Sequence, residues 1–205
     1  DVSTNNLSIF NSLEIFLVCF LFQSKIISPI CSNKKKIRKN FFFIPFCTKI
    51  IQKKKFADKK IKILSIGKYQ RRKNHLLLIK TLEDISKKIG IELHIVGEYQ
   101  NIKQKKFKEK IEKYIKLKKM TKIVKVHKFV KHENIDKFYQ NFDLFVLPAE
   151  KEIASVSIIE ALGKGLPVIC GNDCGTKNYI INNYNGFIFK KNNVNSLKKK
   201  IILLL

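Results

Sequence analysis

The sequence predicts an α/β domain built on a doubly wound parallel sheet, and three observations carry that prediction. From Ile61 onward, short apolar runs alternate with stretches of helical period. The runs are rich in apolar residues, as strands covered on both faces must be. The chain has 205 residues, 45% of them hydrophobic, which is enough to bury the core of one domain.

Taken in order, the runs suited to buried strands are Ile61–Ile66, Ile91–Val96, Lys122–Val126, Leu144–Leu147, Pro167–Cys170 and Gly186–Phe189. Helical periodicity fills the gaps at Asn74–Lys88, Gln104–Met120, Ile135–Asn141, Val156–Gly163, Lys177–Ile181 and Val194–Leu205. Alternation at this spacing implies a Rossmann-like layer structure with helices on both faces of the sheet. Upstream, residues 1–48 read as a strand (Ile15–Phe20), a basic helix (Phe22–Arg38) and a second strand (Phe41–Pro45). The lysine-rich stretch 49–60 marks a domain boundary, and 61–205 form the regular domain. The run Ile15–Phe22 is far short of the roughly 20 residues of a membrane span, and it lacks the basic lead-in of a signal peptide. The chain starts on Asp1 and stops on an apolar helical run, so it is expected to be a fragment whose last domain is cut short.

The formal charge of +26 raises the possibility of a nucleic-acid partner. Of the 42 basic residues, however, only Arg38, Arg71 and Arg72 carry the planar guanidinium that reads bases and grips phosphates in pairs. No specific nucleic-acid partner is therefore expected. Compositional drift plus a solvated lysine surface is the simpler account, with peripheral contact to an anionic membrane as the functional one. The five cysteines (Cys19, Cys31, Cys47, Cys170, Cys174) lie in or beside apolar stretches and fit free, buried thiols in a reducing cytoplasm. Cys170 and Cys174 lack zinc-site spacing, and no histidine is close to them in sequence, so no metal is expected.

In a doubly wound sheet the ligand sits beyond the carboxyl ends of the strands, which directs attention to four loops. The first, Gly67–His75, begins with a small residue that lets a ligand approach the backbone, and Lys68 and Lys73 flank its turn. Lys73 opposes the dipole of the helix that follows, so helix stability does not explain it. Two cations at one strand end suit a diphosphate, although a charged loop in a lysine-rich protein has the same letters. The third loop and its helix read Glu152-Ile-Ala-Ser-Val-Ser-Ile-Ile-Glu160. With a helix starting near Ser155, the residues Val156, Ile159, Glu160 and Gly163 share one inward stripe. A carboxylate there needs a partner, and a ribose diol supplies two hydroxyls. Ser155 and Ser157 are candidate caps at the helix start, where free N–H groups can take a phosphate. The competing reading turns Glu160 to solvent and makes Glu152 an ordinary loop acid.

Glu152 to Glu160 resembles the E-x₇-E motif of the group 1 (family 4) retaining nucleotide-sugar glycosyltransferases, which have the GT-B fold. The strand Asp143–Pro148, the segment Glu160–Val168 and the Tyr184-Asn185-Gly186-Phe187 turn are similar too. The resemblance runs from Ile61 to Ile202, and more faintly over 15–48, which look like a remnant of the N-terminal acceptor-binding domain. It implies that this chain carries the C-terminal donor-binding half of such an enzyme. By position, Lys68 and Lys73 would hold the leaving diphosphate, Glu160 the ribose, and Glu152 a sugar hydroxyl near the anomeric carbon. Gly67, Gly97, Glu98, Ser155 and Val156 would complete the donor site, with Gly97-Glu98 near the base. The implied activity is metal-independent hexosyl transfer with retention, without a cofactor, from a nucleotide-diphosphate sugar. The acceptor would be a glycan or a lipid-linked one in cell-surface polysaccharide synthesis, and the enzyme would work in the cytoplasm at the inner membrane face. Four positions depart from the family pattern: Lys68 replaces an arginine, Ile153 and Ser155 replace glycines, and Asn178 stands where a glutamate is common. Two other readings remain: a lysine-rich module that binds membrane or nucleic acid without catalysis, and an inactive fragment.

Overall fold

The computed structural model describes residues 60–204 apart from 128, 129 and 131. The sequence readings for residues 1–48 and for 49–59 of the connecting stretch lie outside the described residues, as do Cys19, Cys31 and Cys47. Six strands form one sheet: β1 (Ile61–Ile66), β2 (Ile91–Val96), β3 (Val124–His127), β4 (Leu144–Leu147), β5 (Val168–Gly171) and β6 (Gly186–Phe189). Five α-helices accompany them: α1 (His75–Ile85), α2 (Ile102–Leu117), α3 (His132–Tyr139), α4 (Val156–Gly163) and α5 (Val194–Leu204).

The sheet order is β3-β2-β1-β4-β5-β6 and every pairing is parallel. This is the Rossmann-like order, which reverses direction between β1 and β4 and opens a crevice beyond their carboxyl ends. Apolar residues at successive strand positions explain why both faces are covered. Ile63 and Leu64 are neighbours in β1, point to opposite faces and are both fully buried. Ile63 joins a core with Leu78 and Leu82 of α1, Ile111 and Ile115 of α2, and Leu197 and Ile201 of α5. Leu64 joins a second core with Tyr139 of α3 and with Ile158 and Ala161 of α4. Each fully buried aliphatic side chain contributes about 2 kcal/mol, so the two cores hold the sheet from both sides.

Local chemistry sets the helix ends. Asn101 caps α2, its side chain accepting from the Gln104 amide at 2.9 Å, while the Gln104 side chain accepts from the Gln100 amide at 2.8 Å. The helix therefore starts at Ile102, ahead of the Gln104 expected from periodicity. Helix α4 ends in a left-handed glycine, Gly165 at φ 71°. The Leu166 amide donates back to Ala161 O and the Gly165 amide to Leu162 O, both at 3.0 Å.

Other boundaries moved as well. Lys122 and Ile123 belong to a turn in which the Ile123 and Val124 amides both donate to Met120 O, so β3 starts at Val124. Strand β5 begins at Val168, since Pro167 has no amide to give a ladder. The helix expected at Lys177–Ile181 is a 3-10 turn over Gly175–Tyr179. Its bonds run to the third residue back, from Lys177 N to Cys174 O and from Ile180 N to Lys177 O. Among the described residues, no helix is long and apolar enough to cross a membrane.

Candidate active site

A cleft of about 430 Å³ opens at the carboxyl ends of β1, β2 and β4. All nine residues singled out from sequence line it: Gly67, Lys68, Lys73, Gly97, Glu98, Glu152, Ser155, Val156 and Glu160. Beside them stand Arg72, Ala154 and Ser157, and the apolar side chains of Ile66, Val96, Val130 and Ile135.

The floor is two strand ends in close approach. A Cβ on Gly97 would lie 2.3 Å from Gly67 O, so only glycine fits there. A Cβ on Gly67 would lie 3.0 Å from Cδ of Lys73, which shows that the lysine stem runs across that glycine. His75, fully buried, fixes the same loop from below. Its Nε2 lies 3.2 Å from Gly67 O and its Nδ1 lies 3.3 Å from Oγ of Ser65. A carbonyl only accepts, so Nε2 carries the proton and the Ser65 hydroxyl donates to Nδ1. Burial, reinforced by the Lys73 charge, lowers the His75 pKa to about 4, against the pull of the Gly67 carbonyl.

Between β1 and α1 the chain makes a 3-10 turn over Arg71–Lys73, then passes through Asn74 in the left-handed region at φ 52°. This turn brings Arg72 and Lys73 to the β4 loop. The Glu150 amide donates to Arg72 O at 2.7 Å, and Asn74 Nδ2 to Glu150 Oε1 at 3.0 Å. Glu152, 7% exposed, then receives Lys73 Nζ at 2.8 Å and an Arg72 guanidinium nitrogen at 2.5 Å, both on Oε2. The Gly175 amide, donating to Glu152 O at 2.7 Å, holds the backbone of that residue. Lys68 is placed differently. Its Nζ donates to Gln100 Oε1 at 2.8 Å and stands 3.6 Å from Glu98 Oε1, on the β2 side of the cleft.

Helix α4 forms the opposite wall. Glu160 is half-buried, and Tyr139 Oη donates to its Oε2 at 2.9 Å. Two expectations for this helix are corrected. Val156 is 54% exposed and opens into the cleft, whereas Ile159 and Gly163 are buried as expected, joined by Ile158 and Ala161. Ser155 is the N-cap residue, but no side-chain cap is made. Its Oγ pairs instead with Ser157 Oγ at 2.9 Å. Among the described residues, the amides of the first turn have no side-chain partner.

Sequence reasoning missed Arg72 and Tyr139. Arg72 had a visible signal, being one of three arginines in the chain and lying inside the basic loop. Tyr139 reaches Glu160 from a different helix, and no local pattern announces that contact. The cleft lining carries three cations (Lys68, Arg72, Lys73) and three carboxylates (Glu98, Glu152, Glu160). Among the described residues, no group of three His, Cys, Asp or Glu side chains is placed to hold a metal ion. Cys170 and Cys174 are free and buried behind the β5 loop, and the hydrogen bond from Cys170 lowers the Cys174 thiol to about 7.

The arrangement matches known proteins. An uncharacterized glycosyltransferase of Haemophilus influenzae is 28% identical over 163 residues, covering 76% of this chain and 43% of that protein. An N-acetylgalactosaminyltransferase of Campylobacter jejuni, acting on N,N'-diacetylbacillosaminyl-diphospho-undecaprenol, is 39% identical over 72 residues, 35% of this chain and 19% of that one. Among solved structures, a Staphylococcus aureus TarM variant in complex with UDP and α-GlcNAc-glycerol superposes with a TM-score of 0.67 at 27% identity. That match covers 80% of this chain and 32% of TarM. The chain thus spans less than half the length of the relatives it matches. Residues 46–205 match the family described as glycosyl transferases group 1. With the parallel sheet, the crevice at its reversal point and this match in hand, the chain belongs to the group 1 glycosyltransferases, of which it carries a Rossmann-like domain of the GT-B fold.

Proposed function

We propose that this domain binds a nucleoside-diphosphate sugar in the β1–β4 crevice and serves transfer of that sugar, with retention, to a glycan or lipid-linked acceptor in cell-surface polysaccharide synthesis. One observation carries the reading: Lys73, Arg72 and the uncapped start of α4 surround one end of a cleft whose other wall presents the Glu160 carboxylate. A diphosphate suits the first end and a ribose diol the second. The relatives solved with UDP, TarM and Anabaena HepE, support that class of ligand.

In this reading the acceptor oxygen forms a bond to the anomeric carbon as the bond from that carbon to the diphosphate breaks. The acceptor proton passes to the departing phosphate oxygen. Lys73, Arg72 and Lys68 stabilise the charge that develops there. At about 4 Å and an effective dielectric near 20, each contributes on the order of 4 kcal/mol before desolvation. Glu152 releases part of its hold on Lys73 and Arg72 and accepts from a hydroxyl of the sugar. Tyr139 keeps the Glu160 carboxylate turned toward the ribose. No cofactor takes part, and the cytoplasm supplies the donor.

The test is calorimetric titration of the full chain with UDP, other nucleoside diphosphates and inorganic pyrophosphate. Lys73→Ala should abolish binding of all of them. Glu160→Ala should weaken the nucleoside diphosphate about tenfold or more and leave pyrophosphate unchanged. Absence of any nucleoside-diphosphate binding, or a Glu160→Ala variant that binds UDP as the parent does, would sink the proposal.

A further inference from the structure

The excess positive charge has a structural focus. Helix α2 is 16 residues long, about 24 Å at 1.5 Å per residue. It packs through Gln104, Ile111 and Ile115, and its opposite face is exposed along the whole length. That face carries Lys103, Lys105, Lys106, Lys110, Lys113 and Lys116, with Glu109 as the acid among them. Among the described residues, none of the six pairs with a carboxylate. The lysines that do pair lie at the flank and beyond the end of the helix, Lys108 with Glu112 and Lys118 with Glu83. Three large apolar side chains are exposed on this helix and in the loop before it. Ile102 is 73% exposed at the start of α2, Leu117 74% exposed at its end, and Tyr99 46% exposed in the loop before it.

We propose that the outer face of α2 is a docking surface for an anionic lipid bilayer. The six lysines meet the headgroup phosphates, and Ile102, Leu117 and Tyr99 enter the interface between headgroups and acyl chains. Two features favour lipid over nucleic acid. The helix has no arginine, the residue suited to paired phosphate and base contacts. Bare aliphatic side chains at both ends have no counterpart in a charged groove, whereas they lose water in a bilayer interface. Placement gives the contact a use. Glu98 lines the cleft, and the chain runs directly from it through Tyr99, Gln100 and Asn101 to Ile102. A helix seated on the membrane therefore brings the cleft rim to the lipid surface, where a lipid-linked acceptor resides.

The experiment is co-sedimentation of the full chain with vesicles of phosphatidylcholine alone and of equal parts phosphatidylcholine and phosphatidylglycerol, across a salt series. One variant replaces Lys103, Lys106, Lys110 and Lys113 by Gln. A control with the same net charge replaces Lys60, Lys88, Lys190 and Lys199, all exposed and outside α2. UDP titration of every variant reports whether the cleft is intact. The parent is expected to bind the anionic vesicles and ignore the neutral ones. The α2 variant should lose on the order of a hundredfold in partition coefficient, at about fivefold per lysine reduced by screening. The control should keep its binding, and UDP affinity should be the same throughout. Equal loss in the control would overturn the proposal in favour of diffuse charge. Tight binding of duplex RNA with the same α2 dependence, and none to vesicles, would overturn it in favour of nucleic acid.

Discussion

Replacing Glu152 by Gln tests the cation cluster with two effects of opposite sign. The Glu152 carboxylate is 8% exposed and holds Lys73, whose side chain is 10% exposed. Removing one partner of a fully buried ion pair costs about 3–5 kcal/mol, because the other charge is left without compensation. Here the second cation, Arg72, is 49% exposed and can turn to water, and the cleft is open on one side. The expected loss is therefore about 2 kcal/mol, a fall in melting temperature of roughly 5–8 °C for a domain of this size. Affinity for a nucleoside diphosphate should move the other way. A carboxylate about 6 Å from a phosphate charge opposes it by about 3 kcal/mol at an effective dielectric near 20. Screening by cleft water halves that, so UDP should bind about tenfold more tightly to the Glu152→Gln protein. Thermal melts followed by ellipticity and calorimetric titration with UDP read the two effects separately. An unchanged melting temperature together with unchanged or weaker UDP binding would refute the view that Glu152 holds these cations in reserve for a phosphate.

Tyr139→Phe removes the donor to Glu160 Oε2 and should lower stability by about 1 kcal/mol while weakening UDP but not pyrophosphate, read by urea unfolding and titration. Gly97→Ala forces a methyl to within 2.3 Å of Gly67 O, so the β1 and β2 ends must part. A loss of about 2–3 kcal/mol and of UDP binding is expected, and a normal crystal structure with normal affinity would contradict it. Stability should also fall on acidification. The His75 pKa is lowered from 6.5 to about 4 by burial, so the unfolded chain takes up its proton first as pH drops through 6.5. Stability present above pH 6.5 is thus lost progressively down to about pH 4, by about 3 kcal/mol from this residue. His94 and His127 are lowered in the same direction, chiefly by burial. His75→Gln should flatten the slope of unfolding free energy against pH, and parallel slopes for variant and parent would dispose of the assignment.

The strands that could be read to the residue were those whose ends coincide with a change in chemistry. Ile61–Ile66 stops at Gly67, Ile91–Val96 at Gly97, and Leu144–Leu147 at Pro148. The start of β3 was misplaced because Ile123 continues the apolar pattern, while Met120 O takes the amides of Ile123 and Val124 in a turn. Periodicity also overstated the segment after Cys174, where five residues at a crowded strand end make a 3-10 turn. In the cleft, position along the loops was enough to gather the lining residues, because a parallel sheet delivers all its strand ends to one side. Orientation was not legible. Val156 turns outward and Lys68 toward Glu98, since each depends on a neighbour from a different βα unit. Arg72 was hidden by its context in a row of cations, where only the fold shows which of them share the Glu152 carboxylate.

The pairing of three cations with three carboxylates around the cleft has a consequence for selectivity. A protein with a formal charge of +26 attracts phosphate, nucleotides and nucleic acid to its whole surface. The cleft itself presents no net charge, so an anion entering it gains little unless it also gives the displaced carboxylates something to bind. A simple phosphate has no hydroxyls for Glu152 and Glu160. A molecule with an anionic centre and a polyol on each side, one ribose and one hexose, satisfies both signs at once. Under the proposed function, charge cancellation favours a donor that satisfies both signs over an anion that satisfies one, so polyol-free anions such as pyrophosphate should bind more weakly than the donor.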